Sequence, residues 1–237
     1  DKTPYFIKDN EEQAKRLRRI GLGAMGLADA LIMMGLRYGS KESLEVIENI
    51  WRTMVQAAYA TSITLAIERE PFPAFDAEKY LQSPFLNVIK ELHPALLDMI
   101  KEHGIRNATL LAQAPTGTTS ILAGVSSGIE PNFAKEYVRK DSLGERIIRH
   151  WLADYPAFVS AHEVTPEEHV RVQAVVQKYV DSSVSKTVNL PKEATVDDVK
   201  RIYELAYELG CKGITVYRDG SRQGVLVTSD TNTKDGK

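Results

Sequence analysis

Apolar residues recur at helical spacing through residues 11–34, interleaved with charges, until Gly35 and Gly39 interrupt the pattern. Ser40 then stands as the N-cap of a long second helix whose inner stripe is Leu44, Ile47, Trp51, Met54, Val55 and Ala58, ended by Pro71 and Pro73. A loop carries Phe72, Phe75 and Tyr80, aromatic residues assigned to the core rather than to ligand stacking. The next helix turns Leu96, Leu97 and Ile100 inward and stops at Gly104. Ala108, Thr109, Leu110, Leu111 and Ala112 form a short apolar run between turn signals, which predicts a buried strand.

The second half has sharper start signals. Thr165 and Glu168 form a capping box with Pro166 at the first helical position, so a helix is predicted to about Asp181 with Val172, Val175 and Tyr179 on its inner face. Residues 183–190 alternate at period two, as a half-buried strand does, and Pro191 closes them. Thr195 and Asp198 open another helix that runs through Leu209 to a Gly210 cap, and residues 213–217 read as the following strand. Strand, helix and strand in that order predict parallel pairing in a helix-rich α/β scaffold. Residues 1–227 are expected to be the folded portion, and residues 228–237, which have nothing to bury, a disordered tail.

Composition narrows the picture. The 237 residues are 43% hydrophobic and 26% charged, as in an ordinary globular protein, and 30 basic against 32 acidic side chains leave a net charge of -2. Nothing global therefore attracts nucleic acid or an anionic membrane, and any nucleotide is held locally. The most apolar window, residues 27–36, carries Asp29 and falls far short of the ~20 residues a membrane span needs. Residues 1–4 lead into a charged segment and not a secretory signal, and the first residue is not methionine, which points to a piece of a longer chain. The single cysteine, Cys211, excludes an internal disulfide framework and a cysteine zinc site, and fits a reducing cytoplasm.

Candidate chemistry concentrates in Ala114, Pro115, Thr116, Gly117, Thr118, Thr119 and Ser120, which run on through Ser126, Ser127 and Gly128 to Glu130. A proline-set turn, glycine and clustered hydroxyls can offer an anion backbone amides and side-chain donors together, holding a phosphate without lysine. The plainer reading is a loop whose Thr and Ser cap the next helix. Gly21, Gly23 and Gly26 match the dinucleotide fingerprint G-x-G-x-x-G, but the residues before them are charged and read as helix where the fingerprint needs a strand. Those glycines are assigned to close packing. His93, His103, His150, His162 and His169 show no i, i+4 pair and no acidic partner at metal-site spacing. No G-x-S-x-G elbow and no lysine-bearing P-loop is present.

Four ordered segments carry a resemblance. Residues 19–31, residues 114–131, residues 173–190 and residues 210–222, with the wordings Val-Ser-Lys-Thr-Val-Asn-Leu and Thr-Val-Tyr-Arg-Asp-Gly-Ser-Arg, resemble the C-terminal half of a ribonucleotide reductase catalytic subunit, in particular its adenosylcobalamin-dependent class (class II). The resemblance spans roughly residues 15–225 and implies the C-terminal part of a ten-stranded α/β barrel around a cysteine-bearing finger loop. It implies that the segment 114–120 binds the phosphates of a ribonucleoside di- or triphosphate. It also implies chemistry by a thiyl radical that takes the 3′ hydrogen, a cysteine pair that reduces the 2′ carbon, an Asn and a Glu near the radical cysteine, and a radical started from the cofactor's cobalt–carbon bond.

The chain departs from a whole enzyme. One cysteine stands where the family's chemistry needs several, no Asn-x-Cys-x-Glu segment is present, and Cys211 falls at a helix end where it reads as a packed core residue. For Tyr217 the resemblance to other reductase classes offers a radical or substrate contact, and its strand position a packing residue, the plainer of the two readings. By this reading the chain alone does not reduce ribonucleotides and needs the N-terminal half of the reductase, in cis or in trans. The alternatives are a free-standing nucleotide-binding or regulatory module that keeps the fold without the chemistry, and a helical interaction domain whose hydroxyl loop is only structural. An incomplete barrel also exposes strand edges and apolar surface, so self-association into a homo-oligomer is expected.

Overall fold

The computed structural model describes residues 2–141, 144–221 and 226–228. In chain order these form α1 (Lys8–Leu17), α2 (Leu27–Met33), α3 (Lys41–Arg69), α4 (Ala77–Tyr80), α5 (Leu86–Leu92), α6 (Ala95–His103), α7 (Gly117–Ala123), β1 (Glu136–Asp141), β2 (Gly144–Arg149), α8 (Pro166–Lys178), β3 (Thr187–Leu190), α9 (Val196–Glu208), β4 (Thr215–Arg218) and β5 (Leu226–Thr228). They divide into two compact units, one of Asp1–Gly23, Val46–Ala114 and Val175–Val184, the other of Ala24–Glu45, Pro115–Ala174 and Ser185–Lys237. Among the described residues no helix is long and apolar enough to cross a membrane.

The first unit is built on α3. Ile47, Trp51, Val55, Tyr59, Ile63 and Ala66 are all buried, steps of four and finally three residues that keep one stripe inward for about five turns. Glu70 takes a left-handed φ of 67°, Pro71 blocks continuation, and the Arg106 guanidinium donates to the Arg69 and Glu70 carbonyls at 2.7 and 2.9 Å. Leu96 and Ile100 of α6 are buried as predicted, while Leu97, also expected inward, is only partly buried. Phe72, Phe75 and Tyr80 contact one another with ring centroids 5.5 to 6.0 Å apart, the mutual packing of a core cluster.

The apolar run after Ala108 is a buried extended segment that bridges in parallel to Leu22 through Leu111 and to Val184 through Gln113. The amides of Leu110, Leu111 and Ala112 all have acceptors. Leu110 and Leu111 donate to the Asp181 carboxylate at 2.8 and 2.9 Å, and the same carboxylate accepts the Tyr59 hydroxyl at 3.1 Å. Burying these backbone groups costs little because each has a charged or carbonyl partner.

Residues 108–112, predicted as a strand, make only isolated bridges, the strand predicted over residues 183–190 is confined to Thr187–Leu190, and the N-terminal prediction differs most. Residues 11–34 are two helices, not one: α1 ends at Leu17, Arg18 turns left-handed, and residues 20–22 run extended before Gly26 opens α2. Helical periodicity does not show this break because the glycines interrupt the pattern without changing its phase. Each glycine weakens a helix by about 1 kcal/mol relative to alanine, and the parallel pairing with residues 109–112 offers hydrogen bonds in exchange.

In the second unit β3 and β4 pair in parallel, Thr187 with Thr215 through Leu190 with Arg218, and α9 connects them. Val188, Leu190, Ile202, Ala206 and Val170 form the core there, and Cys211 packs against it with its thiol pushed up to about 11 by burial. This agrees with a packing role for that cysteine. The predicted capping box of Thr165 with Glu168 forms ahead of α8, and the helix start read at Thr195 and Asp198 is a capping box too, ahead of α9. β1 pairs antiparallel with both β2 and β5, a sheet that the sequence pattern does not announce. Thr228, expected in the tail, is the last residue of β5, while residues 229–237 lie outside the described residues.

Candidate functional site

The hydroxyl-rich loop enters the second unit at Pro115. Thr116 adopts a left-handed conformation, φ 57° and ψ 22°, and precedes α7 without making a side-chain cap. Its hydroxyl oxygen instead accepts the Gly128 N–H at 2.8 Å, while the Ser127 hydroxyl donates to the Pro115 carbonyl at 2.7 Å. These two bonds stitch the turn at residues 115–116 to the turn at residues 127–128. The capping reading of the loop therefore fails at Thr116. Thr119 and Ser120 turn their hydroxyls back onto the Thr116 and Gly117 carbonyls at 3.3 Å, and the Thr118 side chain is exposed. The amides of Gly117, Thr118 and Thr119 lie in the first turn of α7, where the helix supplies no acceptor for them.

A cavity of about 560 Å³ adjoins this loop, with Gly117 and Ser120 in its lining. Ile121, Val125, Pro131 and Phe133 give it apolar surface; Ser127, Glu130, Asn132, His150, Thr187 and Asn189 give it polar groups. Of the residues expected to hold phosphate, Gly117 and Ser120 therefore reach the cavity. Pro115 and Thr116 act by fixing the turn, Thr118 and Thr119 are exposed beside it, and Ala114 closes the first unit with its carbonyl accepting the Gln113 amide at 3.2 Å.

Two buried charged groups that the motif search does not single out organise the lining. Asp29 is 3% exposed and accepts the Ser126 N–H at 2.9 Å and the Asn132 amide at 3.0 Å, with His150 Nε2 at 3.4 Å. Burial pushes its carboxyl up, but the hydrogen bonds from His150, Asn132 and the Ser126 amide outweigh that and hold it below the usual carboxylate range. His150 Nδ1 accepts the Leu152 N–H at 3.2 Å, which leaves the proton on Nε2, facing Asp29. Lys186 is the second buried charge, at the start of β3, in contact with Glu130 and His169.

Both had a trace in the sequence. Asp29 is the one charge in the most apolar window before Arg37. Lys186 falls on the inward set of the period-two pattern with Val184, Val188 and Leu190, all buried, while Thr187 and Asn189 on the other set line the cavity. Among the described residues no three metal-binding side chains converge.

Comparison with known proteins identifies the family. The family model described as "Ribonucleotide reductase, barrel domain" matches residues 1–217. The vitamin B12-dependent ribonucleoside-diphosphate reductase of Mycobacterium tuberculosis (strain CDC 1551 / Oshkosh) is 37% identical over 262 residues, covering 97% of this chain and 35% of that protein. The enzyme of the same name from Thermoplasma acidophilum is 34% identical over 266 residues, covering 98% of this chain and 32% of its own. The ribonucleoside-diphosphate reductase subunit alpha of Treponema pallidum is 28% identical over 228 residues, 93% of this chain and 27% of that subunit. The chain thus spans about a third of the length of the curated relatives it matches. With a family match over residues 1–217, the chain belongs to the ribonucleotide reductase barrel-domain family.

Proposed function

We propose that this chain forms the substrate-holding part of a ribonucleotide reductase of the vitamin B12-dependent kind, in which the cavity beside α7 receives the phosphates of a ribonucleoside di- or triphosphate. The observation that carries the reading is the stitched turn: Ser127 to Pro115 and Gly128 to Thr116 fix a left-handed Thr116, from which the first-turn amides of α7 and the pocket-lining Gly117 and Ser120 follow. Preset backbone amides bind an anion without side-chain reorganisation. Ile121, Val125 and Phe133 give the rest of the cavity the apolar surface that a nucleoside would cover. The names of the relatives support the B12 dependence and the diphosphate substrate class.

The radical and reducing steps fall outside this chain in the same reading. Its one cysteine packs against the core of β3, β4 and α9 and is not among the residues lining the cavity, and a single thiol cannot serve as a dithiol. Adenosylcobalamin would supply the radical when bound. The two histidines of the second unit that are buried or nearly so do not fit a cobalt ligand: His150 is held between Asp29 and the Leu152 amide, and His169 between Lys186 and the Ala161 carbonyl. The cofactor is accordingly assigned to the assembled enzyme, completed by the N-terminal half in cis or in trans, and the chain by itself is expected to be inactive.

Titration of the chain with ADP tests the phosphate reading. Gly117 has a φ open to any residue, and a side-chain carbon added there meets nothing within 4 Å, so Gly117→Asp has room to fold and places a carboxylate at the cavity. We expect it to lower ADP affinity by about tenfold or more through charge repulsion at short range. Thr118→Val combined with Thr119→Val is expected to weaken ADP binding as well, by removing the exposed Thr118 hydroxyl at the rim and the Thr119 hydroxyl that holds the turn through the Thr116 carbonyl. ADP affinity unchanged in both variants would take the loop out of the site.

A further inference from the structure

The Lys186 side chain is 0% exposed, yet all three of its ammonium protons have acceptors: Glu130 Oε2 at 2.6 Å, His169 Nδ1 at 2.7 Å and the Thr187 carbonyl at 2.6 Å. His169 Nε2 lies 3.1 Å from the Ala161 carbonyl, which keeps the ring proton there and leaves Nδ1 free to accept from the lysine. Burial and the neighbouring ammonium push the imidazole down to about 3, so His169 is neutral and adds no second cation. The other carboxylate oxygen, Glu130 Oε1, accepts the Thr187 N–H at 2.7 Å. Glu130 is thus tied through both oxygens to the start of β3.

This matters because Glu130 is only partly buried. Its side chain keeps 26% of its surface, and both Glu130 and Thr187 line the cavity. Glu130 also closes the turn that holds the loop, its amide donating to the Ser127 carbonyl at 2.9 Å. From Ser127 and Gly128 the hydrogen bonds pass to Pro115 and Thr116. A bare carboxylate on the wall of a phosphate cavity would repel the ligand by on the order of tenfold to a hundredfold in affinity.

Resting on the phosphate reading above, we propose that Lys186 is a positioning residue for the anion cavity: it neutralises Glu130 on the cavity wall and fastens the turn at residues 127–130 to β3, so that the loop at residues 115–120 is presented to an anion. A lysine that served only to stabilise the core would leave the cavity's anion affinity indifferent to the charge balance of the pair.

Binding of inorganic pyrophosphate and of ADP, together with amide hydrogen exchange over residues 126–131 and Thr187, tests this in Lys186→Met, Glu130→Gln and the double variant. Lys186→Met is expected to lower both affinities at least tenfold and to speed exchange in the turn. Glu130→Gln removes the one charge that favours a protonated Lys186, so burial drives the lysine towards its neutral form, and pyrophosphate affinity is expected to stay within about threefold of the parent. The double variant, with both charges removed, is expected to regain affinity to within about threefold of the parent. A double variant as weak as Lys186→Met overturns the proposal. Should Lys186→Met not fold, the double variant and Glu130→Gln decide it: loss of affinity in both counts against. Should the parent bind neither probe, the phosphate reading fails, and exchange decides the positioning role, with unchanged exchange at residues 126–131 in the double variant and in Glu130→Gln overturning it.

Discussion

Gly23→Ala is expected to destabilise the first unit by about 3 kcal/mol, the upper end of what overpacking usually costs. A β-carbon at Gly23 would stand 2.4 Å from the Ala112 carbonyl oxygen and 3.3 Å from the Gln113 side chain. The oxygen belongs to backbone that cannot rotate away. Ile20 and Leu22 donate to the Thr109 and Leu110 carbonyls at 3.0 and 2.8 Å, and Ala112 donates back to Leu22 at 3.0 Å, so relieving the clash means spreading this parallel ladder. Against a total stability of about 5–15 kcal/mol, that loss moves a urea midpoint far beyond error. Gly213→Ala is the control: nothing lies within 4 Å of its added carbon, its φ is not in the left-handed region, and it should change stability by less than about 1 kcal/mol. A Gly23→Ala midpoint equal to that of the parent would show that the two segments do not pair as closely as described.

The same glycines mark where sequence reading succeeds and where it stops. Assigning Gly21, Gly23 and Gly26 to close packing is right, and Gly21 likewise faces the Ala112 side chain at 3.1 Å. The premise that helix leads straight into them is not, because α1 ends at Leu17 and an extended segment intervenes. Periodicity reports which face is buried, and at the ends of a short strand that pairs with a distant segment it has no local signal to report. For the same reason α3, α8, α9 and the β3–β4 pair are legible, since caps, prolines and alternation sit within a few residues of each boundary. The sheet of β1, β2 and β5 is not: its β1–β5 pairing joins segments about ninety residues apart, and the neighbouring β1 and β2 are not read as strands at all.

At the candidate site the loop itself stands out by composition, but its geometry does not. A run of hydroxyls suggests that each offers a donor outward. In the structure Thr116 accepts from Gly128, and Thr119 and Ser120 bond backward to carbonyls, so most of the hydroxyls hold the loop in shape and the amides are left for a ligand. Asp29 and Lys186 escape motif reading because each works through a contact with a residue far along the chain, Ser126 and Asn132 in one case and Glu130 in the other. A charge placed at a position that pattern says is buried is nevertheless a usable signal. It must find a partner, and the partner marks the site.

Asp29→Ala is expected to cost about 3 kcal/mol or more in stability and to collapse the cavity with it. The substitution strips acceptors from the Ser126 N–H and the Asn132 amide, which are buried, and from His150 Nε2, and each orphaned donor costs about 1–3 kcal/mol. Ser126, Asn132 and His150 all line the cavity, so loss of ADP affinity should accompany the loss of stability. Asp29→Asn keeps the shape and an acceptor and should cost less. The pH dependence has a definite sign. Because the folded carboxyl titrates below its ordinary value, its contribution is present above the unfolded pKa of about 3.9 and is lost as pH falls through the folded pKa. Urea midpoints of the parent should therefore drop between about pH 4 and the acid limit, and the Asp29→Asn protein should show a shallower drop over that interval. Equal acid slopes in the two proteins would mean that Asp29 is not held ionised by the Ser126, Asn132 and His150 donors, and the cavity wall would need another anchor.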